Sequence, residues 1–192
     1  REIAAQRGAV VVPSYDHENI IAGQGTVGLE IAQQCAELDV VPDIVLVCCG
    51  GGGLISGSAT AIKAHYPDAS IHTVEPEDFD DTARSLASGK REHIADNARS
   101  ICDALQAHSP GKLTFDIMAR LLGKGLVVSD DEVRAAMRFA FRYLKLVVEP
   151  GGAAALAALL ATKMDTAGKT TVVVISGGNV DVDLYAEIQR AG

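Results

Sequence analysis

The chain has 192 residues and a formal net charge of −8 at pH 7, which is enough length for one substantial core. The acidic balance argues against a nucleic-acid or anionic-membrane partner, because phosphate groups would be repelled from such a surface. No apolar stretch approaches the roughly 20 residues of a membrane span, and no signal-peptide pattern opens the chain. We therefore expect a cytoplasmic protein whose partner is a small molecule.

The amino end has the pattern of a helix that is already under way. Arg1 to Arg7 resemble the last turns of a helix stopped by Gly8, and no Met precedes them. We therefore expect the chain to be a fragment of a longer protein.

After Gly8, short β-branched runs alternate with Ala-rich helical patterns, which is typical of an α/β fold with a mostly parallel sheet flanked by helices. The predicted strands are Ala9–Val12, Ile44–Cys49, Ser70–Glu75, Leu126–Val128 and Thr171–Ile175. The predicted helices are Gly25–Glu37, Ile55–His65, Thr82–Ala87, Thr114–Leu122, Asp130–Lys145 and Ala153–Lys163. Ser129 and Glu132 have the spacing of a capping box, which predicts a helix start at Asp130.

The four cysteines, Cys35, Cys48, Cys49 and Cys102, show no C-x-x-C spacing. A zinc site or a disulfide framework is therefore not expected. Cys48 and Cys49 lie in an apolar run, so we interpret them as small core residues.

Four consecutive glycines, Gly50 to Gly53, follow a predicted strand and precede a predicted helix with Leu54. Their unhindered backbone N–H groups and the helix dipole can converge on an anion, which indicates a phosphate site. A dinucleotide loop is the rival interpretation. Gly51-x-Gly53-x-x-Ser56 nearly fits that fingerprint, and Glu75 ends the next strand where a ribose-binding acid would lie.

Two more glycine-rich turns follow apolar runs. Ser176-Gly177-Gly178-Asn179 comes after the last predicted strand, and Glu149-Pro150-Gly151-Gly152 comes before a predicted helix. Carboxyl ends of parallel strands meet at one sheet edge, where ligands bind. The three turns together indicate a flat ligand that the backbone approaches closely.

Four motifs carry a family resemblance: Ile21-Ala-Gly-Gln-Gly-Thr26, Gly50 to Leu54, Glu149-Pro150 and Ser176 to Asn179. Together they resemble the pyridoxal-phosphate (PLP)-dependent serine/threonine dehydratases and serine racemases of the tryptophan-synthase-β-like fold (fold type II). The resemblance implies that this chain is the carboxy-terminal portion of such a protein. Residues 1–19 would be the tail of the small domain and the crossover, and residues 20–192 the large PLP-binding domain.

The resemblance also implies roles for individual residues. Gly50, Gly51, Gly52, Gly53 and the N–H of Leu54 would hold the PLP phosphate. Ser176, followed by Gly177, would hydrogen-bond the pyridine nitrogen, and Glu149 would lie beside the cofactor. A neutral hydroxyl at that nitrogen favours β-elimination.

Part of the family has a divalent-cation site, which the chain resembles at Glu75, Asp81 and the main-chain carbonyl of Phe79. Oxygen ligands of this kind suit Mg²⁺, Mn²⁺ or Ca²⁺. The same acid-rich stretch is also compatible with a hydrated surface turn.

No lysine here has the Ser-x-Lys-x-Arg-Gly context of the family's Schiff-base lysine, so no catalytic residue is expected in this chain. The full protein is expected to deaminate L-threonine or L-serine to a 2-oxo acid and ammonia. A serine racemase or a hydroxyaspartate dehydratase is the alternative within the family. A nicotinamide-binding domain or a non-catalytic regulatory subunit is the alternative outside it. The family resemblance also implies a homo-oligomer, usually a dimer.

Overall fold

A computed structural model of the protein describes residues 2–191. In this part of the chain one sheet is formed by the strands β1 (Ile44–Cys48), β2 (Ser70–Pro76), β3 (Leu126–Val128) and β4 (Thr171–Val173). Their spatial order is β3-β2-β1-β4, and each neighbouring pair is parallel. The predicted α/β fold with a parallel sheet is confirmed.

The path of the chain through the sheet reverses at its centre. From β1 the chain moves to β2 and β3 on one side, and β4 is then added on the other side of β1. Ligands of open α/β sheets bind outside the carboxyl ends of the strands at such a reversal. The topology therefore places a binding crevice beyond the ends of β1 and β4.

Helices cover both faces of the sheet. They are α1 (Glu2–Arg7), α2 (Glu18–Glu37), α3 (Gly53–His65), α4 (Asp81–Ser88), α5 (Lys112–Leu121), α6 (Asp130–Phe139), α7 (Pro150–Leu160) and α8 (Val182–Arg190). None of the helices within residues 2–191 is both long and apolar enough to cross a membrane. As expected, α1 ends at Arg7, before Gly8 in a left-handed conformation (φ 61°).

The core lies on both sides of β1. Leu46 packs in a cluster with Met137 of α6 and Leu156 of α7. The next residue, Val47, packs on the opposite face in a cluster with Ile55 of α3 and Met118 of α5. Because successive side chains of a strand point to opposite faces, burial on both faces explains why β1 is a continuous apolar run.

The strand predicted at Ala9–Val12 is wrong. This segment has no strand partner among the described residues, and Val10 and Val12 are 88% and 70% exposed. Propensity of β-branched residues produces a strand only where a neighbouring strand and a packing surface are present. The segment instead leads as an irregular chain from α1 to α2.

All six predicted helices are present with shifted boundaries, and two of them differ most. The helix predicted from Gly25 begins at Glu18, because the side chain of His17 caps it by accepting the N–H of Asn19 and because α2 packs closely along α3. The helix predicted to run to Lys145 ends at Phe139 and continues as one π-helical turn.

The capping box at the start of α6 is confirmed. Ser129 accepts the N–H of Glu132 at 3.2 Å, and the Glu132 carboxylate accepts the N–H of Ser129 at 2.8 Å. Helix α8, which the sequence pattern did not predict, has a similar cap, since the Asp181 carboxylate accepts the N–H groups of Asp183 and Leu184. Both helices therefore begin at an acceptor side chain that satisfies their free N–H groups.

Candidate active site

A cavity of about 350 Å³ opens at the carboxyl ends of β1 and β4. Of the eight residues predicted to bind a cofactor, those that line it are Gly50, Gly51, Gly52, Gly53, Leu54 and Ser176. The glycine run and Ser176 are more than 120 residues apart in sequence. The reversal of the strand order at β1 brings them to one crevice.

The glycine loop joins β1 to α3. Gly52, the N-cap of α3, has a φ of 94°, a conformation that side chains rarely tolerate. The N–H of Ser56 makes the bond to the Gly52 carbonyl that opens the helix. The N–H groups of Gly53, Leu54 and Ile55 therefore precede the helical ladder, and with the helix dipole they provide an anion site.

Tyr15 is packed directly on this loop. A Cβ atom at Gly51 would lie 2.3 Å from the Tyr15 ring. Such a distance is far below van der Waals contact, so a side chain at position 51 would displace the aromatic ring. The glycine is needed here for the close approach of the segment between α1 and α2 to the loop.

Ser176 follows β4, whose continuation is held to β1 by the bond from the Val174 N–H to the Leu46 carbonyl. The Ser176 hydroxyl lies 3.2 Å from the thiol of Cys48, the last residue of β1. Burial raises the pKa of the Cys48 thiol, although the contact with Ser176 opposes this shift. Two neutral groups therefore meet at this wall of the cavity at neutral pH.

Glu149 and Gly177 do not belong to the cavity lining but stand next to Ser176. The Glu149 carboxylate accepts the N–H of Asn179 at 3.0 Å, and the Glu149 N–H is donated to the Gly177 carbonyl at 3.0 Å. Any Cβ atom at Gly177 would lie 2.7 Å from the carboxylate. We call residues Ser176–Asn179 the serine loop. Glu149 holds this loop in place through Gly177 and Asn179, outside the cavity that Ser176 lines.

The residues predicted to bind a cation come together at the carboxyl end of β2. Glu75 and Asp81 are fully buried, with exposed fractions of 0% and 1%, and Phe79 lies in the short turn between them. The Glu75 carboxylate accepts the N–H groups of Thr82 and Ala83 at 2.9 and 2.7 Å. Oδ2 of Asp81 is buried without a hydrogen-bond partner.

Burial of two carboxylates at one place has an electrostatic consequence. Desolvation raises the pKa of Glu75 well above its ordinary value, and the negative charge of Asp81 adds to the shift. Desolvation also raises the pKa of Asp81, to about 7. The positive charge of Arg84 lowers the pKa of Asp81 but does not offset its burial. Two like charges are unfavourable in a low-dielectric environment, so this pair is suited to a bound cation or to a proton.

The geometry of Glu75 also bears on the dinucleotide interpretation of the glycine loop. That interpretation requires an acid at the end of β2 with an oxygen free for a ribose hydroxyl. Both carboxylate oxygens of Glu75 are instead engaged by the first turn of α4, and the side chain has no exposed surface. The structure gives this residue no access to a nucleotide.

Several cavity residues were not predicted from the sequence. Gln24 belongs to the motif Ile21 to Thr26, but no role was assigned to it; Ser14 and Tyr15 lie next to the segment that was wrongly predicted as a strand. Cys48 was interpreted as a core residue, and it is indeed buried, yet it also reaches the cavity. Only the juxtaposition of distant segments reveals these positions.

Comparison with known proteins agrees with this geometry. The family described as "Pyridoxal-phosphate dependent enzyme" matches residues 1–177. The chain therefore belongs to the family of pyridoxal-phosphate dependent enzymes.

Individual relatives are similar along nearly the whole chain. An L-threo-3-hydroxyaspartate ammonia-lyase of Pseudomonas sp is 39% identical over 99% of this chain. A serine racemase of Schizosaccharomyces pombe is 38% identical over 97% of it. Among solved structures, a threonine deaminase of T.th. superposes with a TM-score of 0.88 and 38% identity over 94% of this chain and 64% of its own. These similarities confirm the predicted tryptophan-synthase-β-like PLP fold.

The relatives are longer than this chain. It spans 58% of the Pseudomonas ammonia-lyase and 56% of the S. pombe serine racemase. The chain therefore corresponds to about half of each of these enzymes.

Proposed function

We propose that the protein containing this chain is a PLP-dependent ammonia-lyase that converts L-threonine or L-serine to a 2-oxo acid and ammonia. The observation that carries the proposal is the single cavity in which the glycine loop and the Ser176 hydroxyl meet. Similarity to a threonine deaminase and to an L-threonine ammonia-lyase, each above 35% identity, supports the reaction class.

The glycine loop is proposed to hold the phosphate of PLP. Backbone N–H groups of Gly53, Leu54 and Ile55 are not used by the helical ladder of α3, and the dipole of that helix favours a negative charge at its start. With no side chain from position 50 to 53, a phosphate can approach the backbone closely. These features fit a phosphate group at this end of the cavity.

Ser176 is proposed to hydrogen-bond the pyridine nitrogen, and Glu149 to keep the serine loop in place beside the cofactor. When bound, PLP withdraws electrons from Cα of an amino acid so that a β-substituent can leave. A hydroxyl, unlike a carboxylate, does not favour protonation of the ring nitrogen. The neutral pair of Ser176 and Cys48 therefore suits elimination better than amino-group transfer.

We also propose the division of the chain into residues 1–19, as the end of a small domain with the crossover, and residues 20–192, as part of the PLP-binding domain. The irregular segment between α1 and α2 supports a crossover at this place. The Ser-x-Lys-x-Arg-Gly motif is not in this chain. We therefore expect the 192 residues alone to turn over no threonine, whereas the full-length protein does.

The experiment that tests the function compares three substrates in the full-length protein loaded with PLP. L-Threonine, L-serine and L-threo-3-hydroxyaspartate are supplied separately, and oxo acid, ammonia and D-amino acid are measured. Oxo acid with ammonia from threonine or serine supports the proposal. The absence of both products from all three substrates would overturn it.

Two relatives support alternative activities for the full-length protein: hydroxyaspartate ammonia-lyase and serine racemase. The identities to a hydroxyaspartate ammonia-lyase and to a serine racemase, 39% and 38%, are nearly equal. Turnover of hydroxyaspartate alone would favour the first alternative. D-Serine formed from L-serine in excess of oxo acid would favour the second.

A divalent cation, Mg²⁺, Mn²⁺ or Ca²⁺, is proposed to bind Glu75, Asp81 and the carbonyl of Phe79. The unpartnered Oδ2 atom of Asp81 and the two buried like charges fit such an ion, which would neutralise them. No group of three or more His, Cys, Asp or Glu side chains suited to a metal lies within residues 2–191, so the site relies on two carboxylates and a carbonyl. Calorimetric titration of the chelator-treated protein with each cation tests it, and absence of binding for all three refutes it.

A homodimer is proposed as the assembly. In the segment that follows α6, Phe141, Tyr143 and Val147 are 46%, 71% and 55% exposed, which is unusual for large apolar side chains so close together. Light scattering of the full-length protein measures the mass directly, and a monomer at micromolar concentration contradicts this proposal.

A further inference from the structure

The first turn of α5 is capped by a residue almost a hundred positions away. Asp16 accepts the N–H groups of Lys112, Leu113 and Thr114 at 3.0, 2.8 and 3.2 Å. The local N-cap, Gly111, has no side chain that could do this. Asp16 therefore supplies both the acceptor oxygens and the negative charge that a helix start favours.

The same helix start holds the glycine loop. The Thr114 hydroxyl is donated to the Gly51 carbonyl at 2.7 Å, and the Gly111 N–H is donated to the same oxygen at 3.2 Å. The contact is tight, because a Cβ atom at Gly52 would lie 3.0 Å from Oγ1 of Thr114. Two donors from one element thus fix the orientation of a single peptide group in a loop that has no side chains of its own.

The fixed Gly51 carbonyl also sets the direction of the Gly52 N–H, which belongs to the same peptide group. The peptide between Gly51 and Gly52 is planar and trans, so its N–H points away from its carbonyl. With the carbonyl held against α5, the Gly52 N–H is directed to the opposite side. A glycine loop without such an anchor would have many backbone conformations of similar energy.

We propose that Asp16 and Thr114 are positioning residues for the phosphate-binding loop. Asp16 fixes the position of the first turn of α5. Thr114, in that turn, holds the Gly51 carbonyl by a hydrogen bond. The N–H groups of the loop are thereby kept in the orientation that binds the phosphate. Neither residue needs to touch the cofactor. The inference rests on the proposed role of the glycine loop as the PLP phosphate site.

Steric constraints around Asp16 support a specific arrangement. A Cβ atom at Gly111 would lie 2.4 Å from Oδ1 of Asp16, so a local capping side chain at position 111 and Asp16 cannot both be present. The residue before Asp16 is Tyr15, whose ring covers Gly51. The crossover segment therefore contacts the glycine loop in two ways, by the packing of Tyr15 and through the helix that Asp16 caps.

The test compares affinities of the full-length protein for PLP and for pyridoxal, which lacks the phosphate. Loss of a cap and of one anchoring hydrogen bond is expected to weaken PLP binding about three- to tenfold in Asp16→Ala and in Thr114→Val. Pyridoxal binding is expected to stay unchanged, so the preference for PLP falls by the same factor. Thr114→Ser retains the hydroxyl and should retain the preference.

Ser129→Ala is the matched control, because it removes a helix cap of α6 whose hydrogen bonds stay within that helix. It should lower the melting temperature as much as Asp16→Ala without changing the ratio of the two affinities. If Asp16→Ala weakens PLP and pyridoxal equally, or neither, the inference is overturned while the proposed function stands. If the unmodified protein shows no preference for PLP over pyridoxal, the proposed phosphate site itself fails.

Discussion

Strands β1 and β2 pair side by side in the centre of the sheet, yet the residues that follow them are of opposite chemistry. Beyond β1 and Cys49 lie four glycines that line a cavity. β2 ends in Glu75-Pro76, and its acid is buried with Asp81. We have proposed that the first strand end receives an anion, whereas its neighbour holds two buried acids of its own.

The two strand ends are stabilised by different means. Backbone N–H groups carry little charge, so several must converge, and this requires small residues and an anchor outside the loop. A carboxylate carries a full charge, so two residues suffice, but their burial is costly until a proton or a cation compensates it. The glycine loop thus depends on backbone conformation, whereas the acidic pair depends on electrostatics.

The largest effect is expected where backbone conformation is broken. In Gly52→Ala the new Cβ atom would meet Met118 and Thr114 in a residue with positive φ, so we expect PLP affinity to fall about a hundredfold, measured by absorbance titration. Gly168→Ala is the matched control, since Gly168 also has positive φ (70°) but an open environment.

Gly168→Ala is expected to lose about 1 kcal/mol of the free energy of unfolding, because alanine tolerates positive φ poorly. Gly52→Ala is expected to lose about 1 to 3 kcal/mol more, because its Cβ atom also meets Met118 and Thr114. Only Gly52→Ala should lose the cofactor. An equal loss of affinity in the two variants would show that general destabilisation, and not the geometry of the loop, is responsible.

Charge compensation at the acidic pair is expected to have the next largest effect. A cation at about ten times its dissociation constant should raise the free energy of unfolding by about 1.4 kcal/mol. Asp81→Asn should abolish this response in thermal unfolding with Mg²⁺ or Mn²⁺. Glu77→Gln, which removes an exposed acid of the same stretch, should keep it; a response that disappears in both variants would point to general surface charge.

A smaller effect is expected at the end of β4. Ser176→Ala removes one neutral hydrogen bond, typically worth about 1 kcal/mol, so PLP affinity should fall about fivefold. The glycine loop is untouched by this change. The preference for PLP over pyridoxal should therefore persist, and its loss would contradict separate roles for the two loops.

The smallest effect is expected at Glu132. This acid is partly exposed and its pKa is lowered, whereas the pKa of the buried Asp81 is raised. Burial alone would raise the pKa of Glu132, but hydrogen bonds from Lys163 at 2.7 Å and from the Ser129 N–H lower it more, so the net shift is downward. Its contribution is therefore present at neutral pH and is lost as the pH falls through the lowered pKa. Glu132→Gln should cost less than about 1 kcal/mol at pH 7, and this cost should shrink as the pH falls through the lowered pKa, measured by urea unfolding.

Features that depend on neighbouring residues in the sequence were predictable. The glycine loop and the capping box of Ser129 and Glu132 each rest on local backbone or side-chain chemistry, and both are present in the structure. Ser176 follows the last strand, as predicted, but in an irregular segment. The strand at Ala9–Val12 was wrongly predicted from the same kind of local pattern. Its valines have strand propensity, but no sheet edge in the described part of the chain receives them.

Contacts between distant segments could not be predicted. Asp16 lies in a stretch without helical or strand pattern, and its partners at 112–114 are known only from the fold. The pairing of Cys48 with Ser176 likewise requires β1 and β4 to be neighbours. A sequence lists potential donors and acceptors, but only the tertiary arrangement selects which of them meet.

By itself, the sequence determined the α/β class and the position of the glycine loop, because apolar periodicity and glycine runs act locally. The family followed from the resemblance of four short motifs. Tertiary structure alone decided that the glycine loop and Ser176 share one cavity, that Glu75 is buried under α4, and that Asp16 holds the helix beside the loop. The reason is physical. The reversal of the strand order and the packing of the segment that joins α1 to α2 depend on the whole chain, and no short segment contains them.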